Sequence, residues 1–237
     1  MFMTIPILIL SNIPLIFFTI LDICEFNYFD SYRIKYNDKR KYPTKKEISI
    51  GIKQFSKDFF GLVIPIATLG IYTAVSFDIY LYNMKPDIDI FYCFIHLCII
   101  LFSSDILFYI LHRIMHTPYL YKNFHKFHHT FKEPFALTNY YVDYSELLLF
   151  FLPVMIPPIF LHSHITVVWL SIIILNINGI IIHSGYNFII LSIKYNNNIL
   201  EFPCIKEHDY HHKYFNYNFA ATFPFVDKLF GTYYIES

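Results

Sequence analysis

The chain has 237 residues, 56% of them hydrophobic and only 15% charged, with a formal net charge of zero. That balance is far from an ordinary soluble domain and makes a bilayer the natural solvent. No basic stripe interleaved with aromatics offers phosphates a footprint, so nucleic-acid binding is set aside, and Cys24, Cys93, Cys98 and Cys204, without CxxC spacing, imply neither disulfides nor zinc.

A helix needs about 20 apolar residues to cross hydrocarbon, and runs of that scale predict about four transmembrane helices, with one of the candidate runs divided in two. The first, from about Phe2 to Ile23, carries no charge before Asp22 and no small-residue cleavage site, so it reads as an anchor rather than a signal peptide. The second, from about Phe59 to Tyr82, and the third, from about Ile90 to Leu111, are separated by the polar turn Asn83 to Asp87 and form a helical hairpin. Two further runs, Leu147 to Leu161 and Ile165 to Ile182, are interrupted by Pro153, Pro157, Pro158 and the His162-Ser163-His164 turn, and fit a second hairpin.

Between the anchor and the first hairpin, Glu25 to Asp58 holds nine Lys and Arg residues, including Lys39-Arg40-Lys41, which places this loop in the cytosol. Each hairpin then leaves and returns, so residues from His112 onward and from His183 onward reach the same face. The expected architecture is an all-α polytopic membrane bundle with a cytosolic histidine-rich helical cap, built as one domain over 1–237. Its parts are an anchor and basic loop (1–58), a first hairpin (59–111), two histidine boxes (112–146), a second hairpin (147–183) and a cytosolic segment with a third box (184–237).

Nine of the twelve histidines are clustered: His112 and His116; His125, His128 and His129; His183; and His208, His211 and His212. Positions i, i+3 and i+4 share a helix face, so HRIMH, HKFHH and HDYHH each aim two or three imidazoles at one point. Neutral imidazole ligates iron, copper and zinc, and so many convergent nitrogens exceed the needs of one ion, which predicts a dinuclear site. Arg113 stands where a zinc protease of HExxH type has its glutamate base, and O2 activation by two irons is the chemistry that remains. His96 is about 24 Å and about 160° around a helix from His112; with His162 and His164 it is assigned to packing or the interface. Asp105, inside a spanning run, is a functional candidate by position: it either orients a ligand histidine or pairs with Arg113 or a backbone group. Asp209 within HDYHH is the other candidate for supporting an imidazole. With no GxG among six glycines, a dinucleotide-binding turn is missing and a partner electron carrier is implied.

HRIMH, LYKNFHKFHH with Pro134 to Leu137, HSGYNF from His183, and HDYHH followed by NFAATFPFVDKLFGT together resemble the fatty acid hydroxylase superfamily of membrane sterol oxidases. The likeness runs from about Asp105 to the C-terminus. PFALTNYYVDYSEL and FNYNFA are most similar to the cholesterol 25-hydroxylase branch, while HDYHH and the FGT ending also suit the C4-methylsterol oxidases. The resemblance implies a di-iron monooxygenase of the endoplasmic reticulum membrane, its metal site facing the cytosol and the box histidines as ligands. Electrons would come from NADPH through cytochrome b5 or a similar donor with its reductase, and the substrate would be a sterol or other lipid. Two positions depart from the family pattern: Glu207 stands where a histidine commonly precedes HDYHH, and Asp143 ahead of Glu146 replaces a histidine of an AHPxE-like stretch. Both acids are possible extra metal ligands. Desaturation, fatty-acid hydroxylation and a metal-binding, lipid-sensing pseudo-enzyme are the alternative readings, and a transporter is disfavoured because no repeat of helices is visible.

Overall fold

A computed structural model describes residues 4–34, 42–69, 89–188, 191–195 and 198–235. The N-terminal run folds as α1 (Thr4–Leu10) and α2 (Ile13–Cys24), and a one-turn 3-10 helix, Asn27–Tyr32, follows. α3 (Lys45–Asp58) opens on a capping box in which Thr44 and Glu47 satisfy each other's backbone amides, and it passes through a π turn, Phe59–Val63, into helix that continues to residue 69. Most of the expected second span, its polar turn and the Lys39-Arg40-Lys41 cluster lie outside the described residues. α4 (Ile90–Met115) starts where the Asp89 carboxylate accepts the Tyr92 amide at 3.0 Å. The short α5 (Pro118–Asn123) and a 3-10 segment, His125–Thr130, follow it.

α6 (Tyr144–Phe160) and α7 (Ile165–Ile182) form the second hairpin. α6 runs through Pro153, Pro157 and Pro158 instead of stopping at them. The chain then makes a two-stranded antiparallel hairpin, β1 (Leu191–Tyr195) and β2 (Asn198–Phe202), which an all-helical reading leaves out, before α8 (Ile205–Tyr214) and α9 (Pro224–Leu229).

The structure is thus mostly helical. Among the described residues, three helical stretches are long and apolar enough to cross a membrane: Pro6–Cys24, Ile90–Met115 and Ile165–Ile182; α6 is apolar but shorter. Ile16, Phe17, Phe91 and Phe94 stay exposed on α2 and α4, an arrangement suited to lipid rather than water. α4 packs against both α6 and α7, and the carboxyl ends of α4 and α7 carry His112 and His183.

The main core joins distant parts of the chain. Leu15, Phe18 and Leu21 of α2 and Ile48 of α3 pack on Phe135, Ala136, Leu137 and Tyr140, with Ile180 and Tyr186. A Cβ on Gly51 would lie 2.8 Å from Leu137 Cβ, so glycine lets α3 approach the 136–140 turn. The N-terminal segment is also strapped to the stretch after His183. Arg33 pairs with Asp22 at 2.7 Å and lies 4.5 Å over the Tyr186 ring, the Tyr186 hydroxyl donates to Asp22 at 3.1 Å, and the Ile34 amide donates to the Gly185 carbonyl at 3.0 Å.

Candidate metal centre

The nine box histidines lie in two groups. His112, His116, His125, His129 and His211 form one, and His128, His183, His208 and His212 the other; within each, the ligand nitrogens all lie within 4.8 Å of one another. α4 serves the first group and the end of α7 the second. The 3-10 segment and α8 serve both: His125 and His129 turn to one group and His128 to the other, while His211 and the pair His208 and His212 divide likewise. The spacing that places HDYHH on one helix face therefore builds two adjoining sites, not one.

Backbone and carboxylate acceptors fix the rings. The Nδ1–H groups of His112, His183, His211 and His212 donate to the carbonyls of Phe219, Gly179, Tyr217 and Phe131 at 2.8, 2.7, 2.7 and 3.1 Å, and His125 Nδ1 lies 2.5 Å from Glu146 Oε1. An imidazole that donates through Nδ1 turns a bare lone pair outward on Nε2. The Nε2 atoms of the box histidines face each other, whether or not Nδ1 is paired: 3.1 Å between His112 and His125, 3.0 Å between His125 and His129, 3.2 Å between His129 and His211, 3.3 Å between His128 and His183, and 2.9 Å between His183 and His208. The His112 and His125 lone pairs have no proton to share and repel unless a cation lies between them. Ligands about 2.0–2.1 Å from one metal at roughly right angles stand about 3 Å apart, which is the spacing found. The buried Nε2 atoms of His116 and His212 have no hydrogen-bond partner. The donor set and its orphaned lone pairs fit metal ions.

Burial, the largest cause, holds the imidazoles of His125, His128, His129, His208, His211 and His212 well below their usual pKa, and that of His116 at about 2. They are therefore neutral, the form that ligates metal.

Acidic residues take different places. Asp105 accepts the backbone amides of Ala221, Thr222 and Phe223 at 3.2, 2.8 and 3.0 Å, so its carboxylate holds a loop and not an imidazole. Asp227, which the sequence showed only as part of the NFAATFPFVDKLFGT motif, accepts the amides of Phe219 and Ala220 at 2.8 and 2.9 Å and the Thr232 hydroxyl at 2.7 Å. Together these two acids shape the 217–223 loop, whose carbonyls lock His211 and His112. Asp209 is buried within α8. Asp143 is exposed and caps α6 by accepting the Ser145 amide at 2.9 Å, and Glu207, though buried, belongs with Asp143 outside both histidine groups. Glu146, a buried carboxylate in the first turn of α6, touches the box histidine His125; its signal in sequence was a single charge at the start of an apolar run. His96 bonds Ser163 at 2.8 Å and His164 caps α7, both apart from the two groups.

A cavity of about 230 Å³ opens from the histidines into the helices. His112, His125, His128, His183 and His208 form one part of its wall and Phe108, Phe150 and Phe151 another. The family model described as fatty acid hydroxylase matches residues 97–232, more than half of the sequence and all nine clustered histidines. The chain belongs to the fatty acid hydroxylase family. Among curated relatives of this family member, a very-long-chain aldehyde decarbonylase of Oryza sativa is 34% identical over 132 residues, covering 54% of this chain and 48% of the relative. Methylsterol monooxygenase 2-2 of Arabidopsis thaliana is 32% identical over 132 residues, 54% of this chain and 48% of its own. Methylsterol monooxygenase 1 of Rattus norvegicus is 33% identical over 124 residues, 52% and 41%. The chain thus spans about half the length of the curated relatives it matches. No solved structure matches it.

Proposed function

We propose that this family member is a membrane-bound, di-iron monooxygenase that hydroxylates a C–H bond of a sterol or related lipid with O2. The observation that carries this reading is the pair of histidine groups, five and four imidazoles, at the wall of an apolar cavity. In this proposal His112, His116, His125, His129 and His211 hold one ion and His128, His183, His208 and His212 the other. When bound, the two irons supply O2 activation and the oxidation of an unactivated C–H, chemistry beyond the reach of side chains. The overall balance is one lipid C–H, one O2, two electrons and two protons giving one alcohol and one water.

The chain's own residues hold neutral imidazoles in place, exclude water with Phe108, Phe150 and Phe151, and orient the lipid chain. Electrons come from NADPH through cytochrome b5 or a similar donor with its reductase. The domain is single and membrane-embedded, in the endoplasmic reticulum, with the histidines toward the cytosol.

The test is mass spectrometry of lipids from cells expressing the chain beside His128→Ala and His211→Ala variants, with iron measured on the purified proteins. One added oxygen, present only with the intact protein, together with iron loss in both variants, is the expected result. Full activity in either variant overturns the site assignment. The decarbonylases among the relatives give a second outcome a motive: loss of a fatty aldehyde instead of a gained oxygen would replace hydroxylation by that reaction. A gained double bond would mean desaturation, and no difference at all with metal retained would mean a lipid-sensing pseudo-enzyme.

A further inference from the structure

The same cavity has a polar patch that the metal chemistry leaves unused. Ser11 and Asn12 at the joint between α1 and α2, Tyr140, and Asn176 of α7 all line it. The Tyr140 hydroxyl lies 2.5 Å from Asn12 Oδ1 and 2.6 Å from Asn176 Oδ1. Both amide orientations are fixed from behind. Asn12 Nδ2 donates to the Leu8 carbonyl at 2.7 Å, and Asn176 Nδ2 donates to the Ser11 carbonyl and hydroxyl, both at 3.1 Å. The Ser11 proton is itself given to Leu8 O at 3.0 Å. Turning either amide over would set oxygen against a carbonyl, since a carbonyl only accepts.

Two amide oxygens therefore compete for the one proton of Tyr140. Ser11, Asn12 and Tyr140 are buried, so the acceptor that loses carries an unmet hydrogen bond in a low-dielectric wall. A donor entering from the cavity would meet it. Asn176 precedes His183 on α7 by seven residues, two turns and about 10 Å along the axis, and both residues line the cavity.

We propose that Asn12, Tyr140 and Asn176 form a subsite for the hydroxyl of an amphiphilic lipid, which enters as a hydrogen-bond donor roughly 10 Å along α7 from the metal groups. The inference rests on the lipid-oxidase reading for its substrate class, and it specifies what that reading leaves open: an alcohol, held by its head and oxidised at a distance from it. A ketone, which only accepts, gains nothing here.

The test is binding, not turnover. The full chain in detergent is titrated with cholestanol, cholestan-3-one and cholestane, and the same three are titrated against Asn12→Ala, Tyr140→Phe and His128→Ala. Cholestanol should bind about tenfold more tightly than the ketone, a difference of about 1.4 kcal/mol, and the ketone no better than the hydrocarbon. Asn12→Ala, which removes the surplus acceptor, should bring the ratio close to one. Tyr140→Phe, which removes only the internal donor, should keep it, and so should His128→Ala. A merely structural role would weaken all three ligands alike. Equal binding of the three by the unaltered chain, or no binding, overturns the subsite even if Asn12→Ala does not fold. Selective cholestanol binding by a chain that oxidises nothing would instead sink the oxidase reading and leave the subsite standing.

Discussion

Glu146 gives the sharpest test of how the five-histidine group is built. Its carboxylate is buried and 2.5 Å from His125 Nδ1, while His125 Nε2 lies 3.1 Å from His112 Nε2 and 3.0 Å from His129 Nε2. His125 is therefore the middle imidazole of its group, and Glu146 fixes both its tautomer and its ring angle. Glu146→Ala would leave a buried N–H unpaired, at about 1–3 kcal/mol. Outer partners of ligating histidines are worth about 10–100-fold in metal affinity, about 1.4–2.7 kcal/mol, so two routes give the same scale. Because Glu146 touches only the five-histidine group, iron under a competing chelator should fall from about two ions per chain to about one, with turnover lost in step. Glu146→Gln keeps an acceptor and should lose less. The assay is elemental analysis after dialysis against graded chelator, and an alanine variant that holds as much iron as the unaltered chain throughout would refute the reasoning.

Other expectations follow from neighbouring contacts. Asp105→Ala strips three backbone amides of their acceptor and should lower stability by about 2–4 kcal/mol, read as a lower thermal midpoint, with Asp105→Asn milder; an unchanged midpoint would contradict the loop-anchoring role. Gly51→Ala forces a Cβ to 2.8 Å from Leu137 Cβ and should cost about 1–3 kcal/mol in the same measurement, without changing iron affinity. The metal-depleted protein should lose stability as the pH falls. Burial depresses the folded pKa of imidazoles such as His116, at about 2, and His208, so below about 6.5 the unfolded chain takes up protons that the folded chain refuses, costing about 1.4 kcal/mol per imidazole per pH unit. Stability is thus full above about pH 6.5 and lost as the pH drops toward the folded values; a thermal midpoint that stays flat from pH 7 to 5 would count against it.

Much of the frame was legible because it depends on local periodicity. Ile90 to Met115 and Ile165 to Ile182 are apolar enough to read as spans without a fold, and the i, i+3, i+4 spacing marks HDYHH as a histidine-bearing helix face. What spacing does not contain is the partition of those histidines. His125, His128 and His129 sit on a 3-10 segment rather than an α-helix, and which group each joins depends on α4, α7 and α8 approaching from different directions. Glu146 matters because folding sets it against a residue 21 positions away, and Asp105 because a loop more than a hundred residues later returns to it. Pro153 and Pro157 failed as helix stops, since context overrides a local preference. The β hairpin was readable: LSIKY and NILEF flank the dipeptide Asn196-Asn197, a sequence pattern that favours strand pairing.

The strap between Arg33, Asp22 and Tyr186 bears on how the molecule can be divided. The family match begins at residue 97, yet α2 and α3 supply four of the ten buried residues of the core in which the 135–140 turn and Tyr186 pack, and Arg33 grips the stretch that follows His183. The boundary drawn by shared ancestry is therefore not a seam in space. A fragment cut at that boundary would carry every box histidine but not the scaffold that holds Gly185 and Tyr186, just after His183. Grafting the boxes onto another anchor would require transplanting this clasp as well.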